Sequence, residues 1–365
     1  MIRVLNILGS LGMGGAETAV MNYYRHIDRS KVQFDFLLVG KGGYYEKDAI
    51  QLGARIFYIS SRSKNPLRAY RELYKILKNN SDINIIHIHT NSALPSLIDA
   101  FIAWICKKPT RIVHSTNTRA YKTNLKITQP IFRPFLRMFA TNFFCYSLET
   151  GISLFGKKAM SKLKIIPNAR DLSSFDFNQE LRDTLRQEMG LSDCIVLLNV
   201  GRLVKVKNQK FLLYVLVELL KVEKDVVLLI VGDGELRDTL PELAKKLGCS
   251  EAVRFLGLRT DTGNLMQVAD IFLLPSLFEG LPGVVIEAQA TGLPCLLADT
   301  VPYETKLINT VEFLPINQGV EKWVEKIVAY KNHNRLNTLP DIKKAGYDIK
   351  DAAKKLEEFY LNEVK

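Results

Sequence analysis

The sequence predicts an α/β protein made of two doubly wound, Rossmann-like parallel-sheet domains facing a cleft. Three observations carry this expectation. With 365 residues the chain is long enough for two domains. Short apolar runs alternate with helix-period segments from end to end, the rhythm of parallel strands covered on both faces. That rhythm relaxes once, near Ile166-Pro167-Asn168-Ala169.

In the first half, strands are expected near Arg3–Leu8, Gln33–Val39, Arg55–Ile59, Ile85–His89, Arg111–Ser115, Phe143–Tyr146 and Lys164–Ile166. Helices fit between them, for example at Ala16–His26, Pro66–Leu77, Leu94–Ile105 and Ser147–Phe155, with Pro66 near a helix start. In the second half, strands are expected near Ile195–Val200, Val226–Val231, Arg254–Leu256, Ile271–Leu274 and Cys295–Leu297. A helix is expected from Gly283 to Thr291, and an amphipathic one from Asp351 to Leu361. The expected division is 1–168, 169–346 and a closing helical segment, 347–365.

Composition excludes several classes. Apolar residues make up 47%, enough for full cores. Five cysteines form no Cys-x-x-Cys, so structural zinc is not expected and a reducing cytoplasm is. The opening Met-Ile-Arg-Val-Leu-Asn-Ile-Leu reads as a first strand, not a signal peptide. No apolar run approaches the roughly 20 residues of a membrane span.

The net charge of +12 is unevenly placed. Residues 1–170 hold 26 Lys and Arg against nine Asp and Glu; residues 171–365 hold 24 against 29. No acidic residue lies between Asp99 and Glu149, where eight basic residues are interleaved with aromatics and aliphatics. That segment is expected to be drawn to an anionic membrane face or a polyanionic substrate, with Lys122, Lys126, Arg133 and Arg137 as the membrane contacts. No nucleic-acid-binding signature is present.

The richest motif is Phe278-Glu279-Gly280-Leu281-Pro282-Gly283-Val284-Val285-Ile286-Glu287. Glu279 is expected in the loop above a strand end, and Glu287 about one turn inside the following helix. Between them the free N–H groups of the helix start favour an anion such as a diphosphate. Two carboxylate acceptors around a phosphate cradle suit a nucleotide sugar. A second loop, Gly201-Arg202-Leu203-Val204-Lys205-Val206-Lys207, follows a buried strand and offers two cations, Arg202 and Lys207, to a departing diphosphate. Gly232-Asp233-Gly234 is a similar strand-end turn that could border the nucleotide.

The Gly9-Ser10-Leu11-Gly12-Met13-Gly14-Gly15-Ala16-Glu17 loop lets the backbone approach a ligand at a helix start. It is not the dinucleotide fingerprint, because Glu17 stands where glycine or alanine is required. His114 closes an expected strand, the edge where doubly wound folds place ligands. His87 and His89 share a strand face but lack clear further ligands, so no metal is expected. Absence of any Asp-x-Asp argues against a metal-held diphosphate. No cofactor is expected beyond the nucleotide sugar, which is a substrate.

Together Gly14-Gly15-Ala16-Glu17, His114, Gly201-Arg202 with Lys207, Gly232-Asp233-Gly234 and the spaced glutamates resemble the retaining, metal-independent GT-B glycosyltransferases. The resemblance spans essentially the whole chain. Gly42-Gly43-Tyr44-Tyr45, Ala298-Asp299-Thr300-Val301-Pro302-Tyr303-Glu304 and Ala345-Gly346-Tyr347-Asp348 look like the exopolysaccharide and capsule branch. Ile166-Pro167-Asn168-Ala169-Arg170 departs from it, since the family usually carries glycine after the asparagine.

The resemblance implies that Glu279 binds donor-sugar hydroxyls and Glu287 the ribose. It implies that amides near Leu281, Pro282, Gly283 and Val284 hold sugar and phosphate. Arg202 and Lys207, beside Gly201, would grip the diphosphate, with Gly14 and Gly15 approaching it. His114 would contact the donor sugar, and the last helix would cross back onto the first domain.

The expectation is a cytoplasmic, membrane-associated retaining transferase that moves a sugar, expected to be UDP-linked, onto a lipid-linked oligosaccharide. A nucleotide-sugar epimerase would use a similar cleft without an acceptor. A non-catalytic membrane-associated assembly module would need the basic half alone.

Overall fold

Seven parallel strands form the first sheet of the computed structural model, which describes residues 1–116 and 123–364. They are β1 (Ile2–Ile7), β2 (Val32–Leu38), β3 (Ile56–Tyr58), β4 (Ile83–Thr90), β5 (Thr110–Ser115), β6 (Asn142–Cys145) and β7 (Leu163–Ile165). Their spatial order is β3-β2-β1-β4-β5-β6-β7. Six more, β8 (Ile195–Val200), β9 (Val226–Val231), β10 (Val253–Gly257), β11 (Ile271–Leu274), β12 (Cys295–Ala298) and β13 (Val311–Leu314), form the second sheet. Its order is β10-β9-β8-β11-β12-β13, and every pairing in both sheets is parallel. The chain divides into two compact units, Met1–Arg170 with Asp348–Lys365, and Asp171–Tyr347.

The apolar runs become central strands because both faces are covered. Val32–Leu38 and Val226–Val231 are buried at every residue. Helix starts follow local chemistry. Asn65 accepts from the Arg68 N–H with Pro66 in the first turn, Ser147 and Thr150 form a reciprocal cap, and Asp348 accepts from the Lys350 N–H.

The last helix, Ile349–Asn362, packs in the first unit, against the Gly15–His26 helix and β2. Its Ile349, Ala352, Ala353, Leu356 and Tyr360 join Val20, Tyr24, Phe34 and Phe36 in one core. The opposite face of that sheet carries a second core, built around Leu5, Ile88, Val113 and Phe155.

Among the elements that the sequence reading does not name, a strand and a helix show why. β13 is four residues, Val-Glu-Phe-Leu, too short for its alternation to stand out, and forms by pairing with β12 at the sheet edge. The helix Thr123–Phe139 runs through Pro130 and Pro134, each of which normally costs about 3 kcal/mol in a helix interior. Tertiary contacts offset that cost. Leu136 is fully buried, and Phe139 meets Phe101 and Trp104 with ring centroids 5.0 and 5.5 Å away. The Gln129 amide donates to Asn91 O at 2.9 Å.

The turn after β9 braces the loop after β8. Leu203 N–H donates to Asp233 O, and Leu236 N–H to Leu203 O, both at 2.9 Å. Gly232 sits at φ +138°, and a Cβ there would overlap Gly201 O; a Cβ on Gly234 would lie 2.5 Å from Leu203 O. Gly232→Ala is therefore expected to destabilise the chain by on the order of 3 kcal/mol, through positive-φ strain and steric overlap. Gly248→Ala, at φ +73° in open space, isolates the strain alone and should cost about 1 kcal/mol. Denaturant unfolding of the full chain compares the two. Equal losses would show that the close approach to Gly201 is unimportant.

Candidate active site

In the second unit the sheet order reverses its direction of winding between β8 and β11, the place where doubly wound folds open a ligand crevice beyond the strand ends. The loops leaving these two strands are tied together. Asn208, in the left-handed region at φ 56°, donates from Nδ2 to Pro275 O at 3.1 Å. Leu277 N–H donates to Val206 O at 2.8 Å. Lys207 Nζ meets Glu279 Oε1 at 2.5 Å, with side chains only 17% and 10% exposed. Lys207 lays its aliphatic stem over Gly201. Arg202 is exposed, with no ion pair among the described residues, and Gln209 anchors its carbonyl at 2.9 Å.

The Gly283–Ala290 helix starts beside this pair. Pro282 is its N-cap, and no side chain caps the first turn. An uncapped start leaves N–H donors for an anion. Leu281, Pro282 and Gly283 are buried, while Val284 and Glu287 are half-buried. A cation, a carboxylate and, four residues on from Glu279, helix-start amides suit a diphosphate beside hydroxyls. The pairing of Lys207 with Glu279 has no local signature, because 72 positions separate the two.

The first unit places its groups along β1, β4 and β5. Gly14 is the N-cap of the Gly15–His26 helix, without a side-chain cap, and the Glu17 carboxylate folds back toward it. A Cβ added at Gly15 would meet open space. His114 is the next-to-last residue of β5 and only 2% exposed, so it lies deeper than a strand-end surface position. His87 Nε2 lies 3.2 Å from His114 Nδ1, and His87 Nδ1 lies 2.7 Å from the Tyr360 hydroxyl. His89 Nε2 lies 3.0 Å from Asn6 Oδ1. Burial, with neighbouring imidazoles adding, pushes the basicity of His87 and His114 well below the usual histidine range. Burial alone takes His89 down to about 3.

These three rings offer nitrogens within 4.8 Å of one another, close enough to hold a cation. Both nitrogens of His87 are already engaged, by Tyr360 and His114. The period-two spacing of His87 and His89 is the one sequence signal for the cluster; nothing local announces Asn6 or Tyr360.

The basic segment is used unevenly. Lys122 and the side chain of Lys126 lie outside the described residues. Arg133 turns inward, its guanidinium donating to Ser153 O at 2.5 Å and Leu154 O at 3.2 Å, the closing carbonyls of the Leu148–Phe155 helix. It caps a helix rather than presenting a free cation. Arg137 is half-buried.

Comparison with known proteins is consistent along the chain. Residues 182–362 match the family described as glycosyl transferases group 1, and residues 13–174 match glycosyltransferase family 4. A putative glycosyltransferase, EpsF of Bacillus subtilis, is 34% identical over 335 residues, covering 89% of this chain and 86% of that protein. The UDP-Gal:alpha-D-GlcNAc-diphosphoundecaprenol alpha-1,3-galactosyltransferase of Escherichia coli is 26% identical over 353 residues, covering 91% and 90%. Among solved structures, Anabaena Alr3699/HepE in complex with UDP superposes with a TM-score of 0.79 at 19% identity, covering 99% of this chain and all of that one. A Rickettsia africae glycosyltransferase gives 0.81 at 16% identity, covering 100% and 99%. Two parallel-sheet units of the GT-B kind, and a relative one-third identical along most of both chains, show that this protein belongs to the glycosyl transferases group 1 family and is a glycosyltransferase.

Proposed function

We propose that the protein transfers a sugar, with retention of configuration, from a UDP-sugar to a lipid-linked oligosaccharide during exopolysaccharide or capsule synthesis, at the cytoplasmic face of the membrane. The observation that carries the reading is the Lys207–Glu279 pair beside the uncapped helix start at Gly283. The names of the relatives support donor and acceptor class. One uses UDP-galactose and a diphosphoundecaprenol acceptor, and a structural neighbour holds UDP.

In this reading Lys207 and Arg202 stabilise charge developing on the leaving diphosphate, and amides from Leu281 to Val284 hold its oxygens. Glu279 accepts from donor-sugar hydroxyls and Glu287 from the ribose. Gly14 and Gly15 let the backbone approach the donor. His114 contacts the transferred sugar. The acceptor hydroxyl attacks the face from which the phosphate departs, and the phosphate takes its proton. The protein's part is positioning and electrostatics, with no cofactor or metal.

For membrane association, the support is a face on two packed helices of the first unit. Phe101, Trp104 and Ile105 stand exposed at helical spacing on Ala93–Ile105, and Ile131, Phe135 and Met138 on Thr123–Phe139. Trp104 is 52% exposed and Met138 65%. Apolar side chains rimmed by Lys107 and Arg137 suit the headgroup boundary of an anionic bilayer. Among the described residues no helix is long and apolar enough to cross a membrane.

Three outcomes are expected. Lys207→Ala should lower turnover by about 10²-fold or more while the chain stays folded, on the scale of one preorganised donor. Steady-state transfer assays read this, and near-normal turnover would remove Lys207 from the site. Transfer should also persist in excess EDTA; loss on chelation, restored by magnesium or manganese, would contradict stabilisation by side-chain cations alone.

Finally, the protein should sediment with vesicles rich in anionic lipid, weakly with neutral ones, and be released by salt, each surface cation contributing roughly 1 kcal/mol. Replacing Lys122, Lys126 and Arg137 with glutamine should weaken binding and spare the donor site. Arg133 is left intact because it caps a helix. Equal sedimentation with both vesicle types, or with neither, would sink the membrane reading.

A further inference from the structure

The histidine cluster of the first unit contains an ordered set of protons. Tyr360 is fully buried, and its hydroxyl has His87 Nδ1 as its hydrogen-bond partner among the described residues, at 2.7 Å. A phenol that only accepted this bond would leave its own hydrogen buried and unpaired, the costly arrangement. Tyr360 therefore donates, and His87 Nδ1 carries no proton. His87 is neutral, so its single N–H is at Nε2. That N–H points at His114 Nδ1, 3.2 Å away, and donates to it. His114 is neutral too, so its N–H is at Nε2. That nitrogen is buried and has no partner in the protein among the described residues.

We propose that Tyr360 and His87 form a one-way hydrogen-bond relay that locks His114 as the Nε2–H tautomer, making its unpaired Nε2 a hydrogen-bond donor to an oxygen of the transferred sugar. Tyr360 and His87 are positioning residues; only His114 touches the substrate. The inference rests on the reading above that His114 contacts the donor sugar. It gives the returning helix Ile349–Asn362 a role besides closing the core. It sets the tautomer of a residue 246 positions earlier, through a bond that spans 273 positions to His87. A neutral imidazole presents one donor and one acceptor, and the partner of one nitrogen decides what the other offers. Without the Tyr360 hydroxyl, His87 can turn its N–H to Nδ1 and leave His114 free to offer a lone pair instead.

The test is long-range ¹H–¹⁵N correlation on the full chain labelled at its five histidines, assigned by single substitutions. His87 and His114 should both show the Nε2–H pattern. In Tyr360→Phe, which keeps the ring and deletes only the hydroxyl, His114 should change to the Nδ1–H form or a mixture. The melting temperature should move little, and kcat/KM for the donor should fall roughly tenfold, the low end of the loss when a metal-bound histidine loses its orienting partner. A His114 that is Nδ1–H in the wild type, or unchanged in Tyr360→Phe, overturns the relay. So does Zn²⁺ at stoichiometric amounts stabilising the chain and shifting the ring nitrogens of all three histidines, since a cation needs lone pairs where the relay puts protons. Titration with UDP-glucose and UDP-galactose separates the two layers of the argument. A shift of the His114 Nε2 resonance supports the sugar contact. No shift with either, with the tautomers as expected, keeps the relay and overturns the contact on which its use depends.

Discussion

Parallel pairing is the constraint on which the rest of this molecule depends. A parallel strand must be reached by a crossover, so consecutive strands present their carboxyl ends along the same edge of a sheet. Where the winding reverses, between β1 and β4 and between β8 and β11, neighbouring loops diverge and leave their residues facing open space. The Gly9–Gly15 loop leaves β1, the Gly201–Lys207 loop leaves β8, and the Pro275–Gly283 segment leaves β11. Chemistry collects there because the backbone cannot put loops of this kind anywhere else.

Around β8 and β11, rigidity comes from bonds that cost little side-chain freedom. Backbone pairs fasten Val206 to Leu277 and Leu203 to Asp233, so Lys207 and Glu279 are delivered to one another by their loops. Withdrawing two charges from water is expensive, and such a pair is weak evidence for stability. Its worth lies in preorganisation: a cation and an acceptor already aimed and desolvated when a charged ligand arrives. The lysine has three donors, so a phosphate oxygen can share it without displacing Glu279.

Around β4 and β5 the same edge is used differently. Three imidazoles pack together in a buried space, with burial keeping His87 and His114 uncharged, and Phe144, Tyr146 and Tyr360 close around them. Neutral rings in a low-dielectric setting interact through direction rather than charge, so each proton's location matters more than its presence. The closing helix supplies Leu356 and Tyr360 to this region, tying the end of the chain to its first core.

The sequence by itself determined the alternating strands and helices, the parallel class, the strand-end loops and the family. These follow from apolar period, turn chemistry and motifs contained within about ten residues of one another. Glu279, Glu287, Arg202 and Lys207 were legible as candidates because their residue types and strand-end positions are local facts. Only the tertiary structure decided which candidates meet. Sheet order brings Lys207 to Glu279 across 72 positions, and packing of the closing helix brings Tyr360 to His87 across 273. Packing against the Ala93–Ile105 helix carries a helix through Pro130 and Pro134, against their propensity. The end of the helix that follows β6 turns Arg133 from a surface charge into a cap. In each case a long-range contact outweighs a local preference, and the physical reason is the same: a pattern read along the chain records what each segment prefers, while burial decides which of those preferences can be satisfied together.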